Sequence, residues 1–129
     1  MSNASVQKPT TSELQILQVL WERGPSTVRE VHDALQAERT LGYTTVLKLM
    51  QIMTDKGSLV RDESVRPQVY RAARPQRHTQ QGIVRDLATR AFGGSSIRLA
   101  MQALSDQKAT ADERRQIREL LDALDSKRR

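Results

Sequence analysis

The amino-acid sequence predicts a mainly α-helical protein with a minor β component: three helices, one short β-hairpin and then further helices. Apolar residues recur at helical spacing in several segments. Two β-prone runs, residues 59–61 and 69–71, flank a polar tip that contains Pro67. Aromatic residues make up only 3% of the chain. The core must therefore rest on Leu, Ile, Val, Met and Ala, which favours helices over a large sheet sandwich.

The first two helices are predicted from their start and stop signals. Each opens with a threonine followed three residues later by a glutamate, the spacing of a capping box that satisfies free backbone amides. The two boxes are Thr10 with Glu13 and Thr27 with Glu30. Gly24-Pro25 ends the first helix, because glycine permits the cap and proline cannot continue the helix.

A third helix is predicted between Gly42 and Gly57, and its first turns carry candidate DNA contacts. Thr44 and Thr45 open the helix, and Lys48 lies one turn later. A helix N-terminus offers amides to a phosphate, and threonine can donate to a phosphate or touch a base edge. The same residues also fit an ordinary helix start with a surface lysine, so the segment that follows decides between the two interpretations.

That segment is a hairpin with a polar tip, DESVRPQ. Arg66 and Gln68 at the tip are candidate DNA contacts, although an ordinary polar turn also explains them. Arg61, on the first strand, is a lower-ranked candidate for contact with phosphate. A helix suited to a DNA groove, followed directly by such a hairpin, is the order of a winged helix-turn-helix. The sequence therefore predicts double-stranded DNA as the partner.

The chain is predicted to contain a flexible leader at residues 1–9, a winged-helix DNA-binding domain at 10–74 and a helical dimerisation domain at 75–129. The last domain is expected to hold three amphipathic helices, but its 55 residues make a weak core alone. We therefore favour a dimerisation domain over an autonomous bundle. The apolar residues assigned to dimerisation are Ile83, Leu87, Ile97, Met101, Leu104, Ile117, Leu120, Leu121 and Leu124.

The distribution of charge supports the DNA prediction. The chain has a formal net charge of +6 and a pI near 10.3. Residues 1–38 hold three basic and five acidic side chains, a net of −2, whereas residues 39–74 hold seven basic and three acidic ones, a net of +4. The positive charge thus falls on the segment predicted to touch DNA, as expected of a nucleic-acid-binding surface.

Several classes of function are disfavoured by the sequence. The chain has no cysteine and only two histidines, His32 and His78, which are far apart. No metal site and no cofactor are therefore expected. It lacks a nucleophile elbow, a phosphate-binding loop and a zinc-protease motif, so no enzyme is predicted. No apolar run approaches the ~20 residues that span a bilayer, and a cytoplasmic, nucleoid-associated location is the default expectation.

Two alternatives of other classes stay open. Winged helices also bind proteins, and a fold alone does not fix function. The charge of residues 39–74 argues against a protein-interaction module, because interface cores are depleted of charged residues. A non-specific nucleoid protein is the second alternative, and it predicts equal binding to an operator and to a scrambled duplex.

Four segments carry motifs of a known family: WERGPSTVREVHDAL, YTTVLKLMQIMTDKGSLVR, VYRAA and FGGS. With them the chain resembles the penicillinase-repressor family, which includes the β-lactamase, methicillin-resistance and copper-responsive repressors. The resemblance extends from about Thr11 to Leu124. It implies a homodimer that binds a two-fold operator and represses a promoter until induced. It also implies a recognition helix with Thr44, Thr45 and Lys48 and a wing around Arg66 and Gln68.

The chain departs from the family pattern at the features that couple repression to a signal. In the β-lactam branch, induction cuts an Asn-Phe bond in the dimerisation domain, but the only phenylalanine here is Phe92, preceded by Ala91. In the copper branch, release depends on C-terminal cysteines, which this chain lacks. The sequence therefore identifies neither an inducer nor an inducer-sensing protein.

Overall fold

The computed structural model describes residues 8–37 and 40–127. In this part of the chain, three helices precede a two-stranded antiparallel sheet and three helices follow it. The helices are α1 Thr11–Arg23, α2 Val28–Leu35, α3 Tyr43–Asp55, α4 Gln76–Ala91, α5 Ser96–Asp106 and α6 Ala111–Lys127, and the strands are β1 Leu59–Asp62 and β2 Val69–Ala72. This order confirms the predicted fold class, a winged helix followed by a helical C-terminal region.

The chain divides into two compact units, Met1–Ile83 and Val84–Arg129. The division by compactness falls inside α4, and the functional boundary at residue 74 stays a prediction. Residues 1–7 of the predicted leader lie outside the described residues.

Local signals set the helix starts. In each of three capping boxes the threonine hydroxyl accepts a hydrogen bond from the glutamate amide and the glutamate carboxylate accepts one from the threonine amide, at 2.9–3.2 Å. The boxes are Thr10 with Glu13, Thr27 with Glu30 and Thr110 with Glu113. At the end of α3, Gly57 takes a φ of 87°, which favours glycine over residues with a side chain.

The first unit has a dense apolar core. Helices α1, α2 and α3 pack against one another, and the hairpin packs on α1 and α3. The side chains with no exposed surface are Ile16, Val31, Val46, Met50 and Met53. Leu59 and Tyr70 carry this core into the hairpin, where each is 2% exposed. Trp21 and Leu49 are half-buried against this core.

Two polar contacts tie distant parts of the first unit together. The buried carboxylate of Glu13 accepts two hydrogen bonds from Lys56 Nζ, at 2.9 and 3.2 Å. This pair joins the start of α1 to the residue that caps the end of α3. Trp21 Nε1 donates to the Arg74 carbonyl at 3.0 Å and joins α1 to the segment after β2. Removal of either charge of the pair would leave the other partly desolvated and unpaired, which would destabilise the first unit.

The second unit has almost no core of its own. Among its described residues, Ala88 is the one buried hydrophobic side chain. Eight of the nine apolar residues predicted for dimerisation lie in this unit; seven of them are exposed, by 46% at Leu124 to 72% at Ile97, and Ile117 is half-buried. Leu104, Ile117 and Leu120 line a groove of about 650 Å³ between α5 and α6. Apolar surface of this extent is unusual for a unit that works alone.

Candidate nucleic-acid interface

The start of α3 presents the predicted polar face to solvent. Thr44, Thr45 and Lys48 are all exposed, whereas Val46 and Met50 on the other side of the helix are buried. Lys48 makes no hydrogen bond or ion pair with another described residue. Gly42, the N-cap residue of α3, provides no side-chain hydrogen bond to the first turn. The start of α3 thus combines first-turn amides that no side chain caps with exposed hydroxyl side chains, a combination suited to a phosphate.

The turn between α2 and α3 is held by one glutamine. Gln36 Nε2 donates to the His32 carbonyl at 3.1 Å and to the Leu41 carbonyl at 2.9 Å. The first bond lies at the end of α2 and the second lies just before α3. A single side chain thus bridges the end of α2 and the residue range just before α3.

An aromatic side chain missed by the sequence analysis links the same two helices. Tyr43, the first residue of α3, packs its ring under the Arg29 guanidinium, whose Cζ lies 4.4 Å from the ring centroid. The His32 ring meets Tyr43 edge-on, with centroids 5.9 Å apart and an interplanar angle of 66°. A cue was present, since the chain has only two tyrosines and one of them opens α3.

The wing tip is ordered by polar contacts within the loop. Asp62 Oδ1 accepts hydrogen bonds from the Ser64 hydroxyl at 2.6 Å and the Ser64 amide at 2.9 Å. These bonds stabilise the carboxylate and lower the pKa of Asp62 below its ordinary value. Arg66 is exposed, and its Nη1 donates to the carbonyls of Glu63 at 2.6 Å and Val65 at 3.0 Å. Gln68 is half-buried at the base of the tip.

Arg61 is directed toward the core side of the hairpin. It lies opposite Tyr70 in the antiparallel register, and Leu59, two residues earlier on the same face, is buried. The Tyr70 side chain and then the Glu63 carboxylate raise the pKa of Arg61 above its ordinary value. Both Nε and Nη2 donate to Glu63 Oε2, at 3.1 and 2.9 Å. Its guanidinium is therefore engaged within the wing, and a role at phosphate stays a prediction.

A short backbone bridge at Ser26 adds to the hairpin. Ser26 directly precedes the N-cap residue of α2, and its backbone pairs with β2. The Ser26 amide donates to the Tyr70 carbonyl at 2.9 Å, and the Tyr70 amide donates to the Ser26 carbonyl at 2.8 Å. The buried Ser26 hydroxyl donates to the Gly24 carbonyl. Thr27 alone caps α2.

No group of three or more His, Asp or Glu side chains in residues 8–37 and 40–127 is placed to hold a metal ion. Among the described helices, none combines the length and apolar composition of a bilayer-spanning segment.

Comparison with known proteins agrees with this geometry. Residues 9–123 match the family model described as penicillinase repressor. The chain is also 30% identical over 115 residues to the protein named transcriptional regulator BlaI in two strains of Mycobacterium tuberculosis, CDC 1551 / Oshkosh and ATCC 25618 / H37Rv. Each alignment covers 88% of this chain and 83% of the relative. The winged helix and these matches together show that the chain belongs to the penicillinase repressor family of DNA-binding transcriptional regulators.

Proposed function

We propose that this protein is a homodimeric repressor that binds a two-fold operator through α3 and the wing of each protomer. The observation that carries the proposal is the exposed polar face of Thr44, Thr45 and Lys48 on a helix whose opposite face is buried. In a dimer the two recognition helices enter successive major grooves, about 34–36 Å apart. Repression follows when the bound dimer excludes polymerase from an overlapping promoter, in the cytoplasm where the DNA lies.

The proposed role of each side chain in DNA binding follows from its chemistry. Lys48 and Arg66 contact phosphates, and each phosphate they neutralise adds about −0.9 to the slope of log K against log salt. Thr44 and Thr45 contribute to sequence reading through their hydroxyl and methyl groups. Gln68 contacts the backbone beside the groove. Arg66 must release the Glu63 and Val65 carbonyls to reach a phosphate, so its gain in affinity is smaller than that of Lys48.

Dimerisation is supported by the apolar surface of the second unit. Leu120, Leu121 and Leu124 on α6 are 46–59% exposed, and Met101 on α5 is 62% exposed. A second copy of the chain would cover these side chains, and it would fill the groove between α5 and α6 with apolar groups of its own. Burial of apolar surface is the main favourable term in such association.

Fluorescence anisotropy tests the proposal with two labelled duplexes, one from the DNA upstream of the gene for this chain and one of scrambled sequence. A third duplex, selected by the protein from a randomised library, covers the case of an operator elsewhere. We expect tight binding to the upstream or the selected duplex and weak binding to the scrambled one. The specific and the non-specific affinity should both decrease steeply with salt. Equal affinity for all three would instead indicate a nucleoid protein.

A matched pair of lysine variants tests the assigned face. Lys48→Ala should weaken specific and non-specific binding alike and reduce the salt slope by about 0.9 per protomer. Lys127→Ala removes the same charge from the last turn of α6, where Lys127 is exposed, and should leave the slope unchanged. Unchanged affinity in Lys48→Ala would remove Lys48 from the interface.

A further inference from the structure

We propose that Arg29 of α2 is a phosphate contact of the DNA interface, and that Tyr43 positions it by stacking at the start of the recognition helix. The inference rests on the proposed function, because it needs α3 to face DNA. It adds a residue from a second helix to an interface assigned so far to α3 and the wing.

The geometry places a fixed positive charge beside the recognition face. Tyr43 is immediately followed by Thr44 and Thr45, and the Arg29 guanidinium lies 4.4 Å from the Tyr43 ring centroid. The His32 ring packs edge-on against the same tyrosine and leaves a ring face to Arg29. Because Tyr43 is 37% exposed and Arg29 is exposed, the pair lies at the surface rather than in the core.

The neighbouring carboxylates do not neutralise this arginine. Asp33, four residues after Arg29, is the usual position for a helical ion pair, but its Oδ1 lies 3.0 Å from His32 Nδ1 instead. Glu30 serves the capping box of α2 through Thr27. Within the described residues, Arg29 makes no ion pair. A guanidinium over a ring keeps its N–H donors, which lie in its own plane, available for an anion.

Stacking gives this charge an advantage over an ordinary surface arginine. A long side chain loses rotamer freedom when it binds a phosphate, and this entropy cost weakens most surface ion pairs. The cation–π contact with Tyr43 restricts Arg29 before DNA arrives. The tyrosine therefore serves the interface as a positioning residue, and the arginine supplies the contact.

The test measures the salt dependence of binding for the full-length protein and a 40-bp duplex that the wild-type protein selects from a randomised library. Arg29→Ala should weaken binding at 0.15 M salt about tenfold per protomer and reduce the salt slope by about 0.9 per protomer. Arg29→Lys keeps the charge and should keep most of the slope. Arg85→Ala, at an exposed position of α4, is the control for loss of an arginine.

Tyrosine variants test the positioning role. Tyr43→Phe keeps the ring and should bind like the wild type, whereas Tyr43→Leu should lose affinity. The double variant Arg29→Ala, Tyr43→Leu should be no weaker than Arg29→Ala alone, because the two residues act as one unit. Additive losses would overturn the positioning role. Thermal melting confirms that each variant is folded.

The two proposals fail in different ways. Absence of any enriched duplex, with equal affinity for all sequences, would overturn the sequence-specific function. Specific binding by the wild type, together with an unchanged salt slope in Arg29→Ala, would overturn the Arg29 contact and leave the proposed function intact.

Discussion

The first and second units of this chain use the same local chemistry to start helices but bury very different amounts of apolar surface. Thr27 with Glu30 in the first unit and Thr110 with Glu113 in the second form the same reciprocal capping box. In the first unit the apolar faces of α1, α2 and α3 close on one another. In the second, Ala88 is the one described apolar side chain that is buried, and the others are exposed or half-buried.

This difference indicates that the signals that start a helix are not sufficient to make a folded unit. Capping and amphipathic spacing act within a few residues, and they work equally well in both units. A core requires contacts between helices, and the second unit lacks enough of them within one chain. We infer that the first unit folds from its own sequence, whereas the second reaches its full stability only when a second copy covers it.

Charges placed on the exposed apolar stripe of α6 should have the largest effect, because this stripe belongs to the unit that lacks its own core. Leu120→Asp combined with Leu124→Asp buries carboxylates at the proposed interface and should convert the dimer into a monomer of 14.6 kDa. Loss of the second DNA-binding head should weaken operator binding by about 10²–10⁴-fold. Light scattering measures the mass, and anisotropy measures the affinity.

The control for that variant is Arg118→Asp, which adds a carboxylate at another exposed position of the same helix. It should remain dimeric. A dimer that survives both leucine substitutions would place the interface elsewhere.

A cavity in the first unit should act differently. Met50→Ala removes a fully buried side chain and should lower the free energy of unfolding by about 2–5 kcal/mol. Because the core of the first unit is internal, this loss should not depend on protein concentration. Ile52→Ala, at a 39% exposed position of the same helix, should cost much less. Chemical denaturation at two protein concentrations gives both quantities, and a loss that varies with concentration would contradict an autonomous first unit.

The elements of the fold were predictable because their signals are local. The predicted strands at 59–61 and 69–71 are each one residue longer in the structure, and both predicted capping boxes are present. The polar face of α3 followed from helical spacing, which places Thr44 and Lys48 opposite Met50.

The contacts between residues far apart in the sequence were not predictable in the same way. The Ser26–Tyr70 bridge joins residues 44 positions apart, and the Glu13–Lys56 pair spans 43 positions. A single sequence does not state which of many charged or polar residues meet across such distances. The stacking of Arg29 on Tyr43 depends in turn on the angle between α2 and α3, which packing sets.

The capping boxes at Thr27 and Thr110, one in each unit, allow a test with a smaller expected effect. Thr27→Ala should lower the stability of the first unit by about 1 kcal/mol, because the Glu30 amide loses its acceptor. Thr110→Ala removes the same bond from α6 and should loosen its first turn by a similar amount. Hydrogen exchange should show the first loss across the whole unit and the second near residue 110. A loss of protection throughout the first unit in Thr110→Ala would show that the units do not fold independently.

The smallest expected effect is a titration that reports on the wing. The Ser64 hydroxyl and amide hold the pKa of Asp62 below its ordinary value of 3.8. A carboxyl with a depressed folded-state pKa contributes stability above its unfolded pKa, and the contribution is lost as pH falls through the folded pKa. Because Asp62 is exposed, the effect on global stability should be slight, and carboxyl chemical shifts in NMR are the suitable readout.

Ser64→Ala should raise the pKa of Asp62 toward its ordinary value, and Ser64→Thr, which keeps a hydroxyl, should leave most of the depression in place. The same titration in the Leu120→Asp, Leu124→Asp variant extends the comparison, because the wing belongs to the unit with its own core. Its Asp62 pKa should match that of the wild type. A return to the ordinary value in the monomer would mean that pairing through the second unit also orders the wing, and that the first unit is less independent than its core indicates.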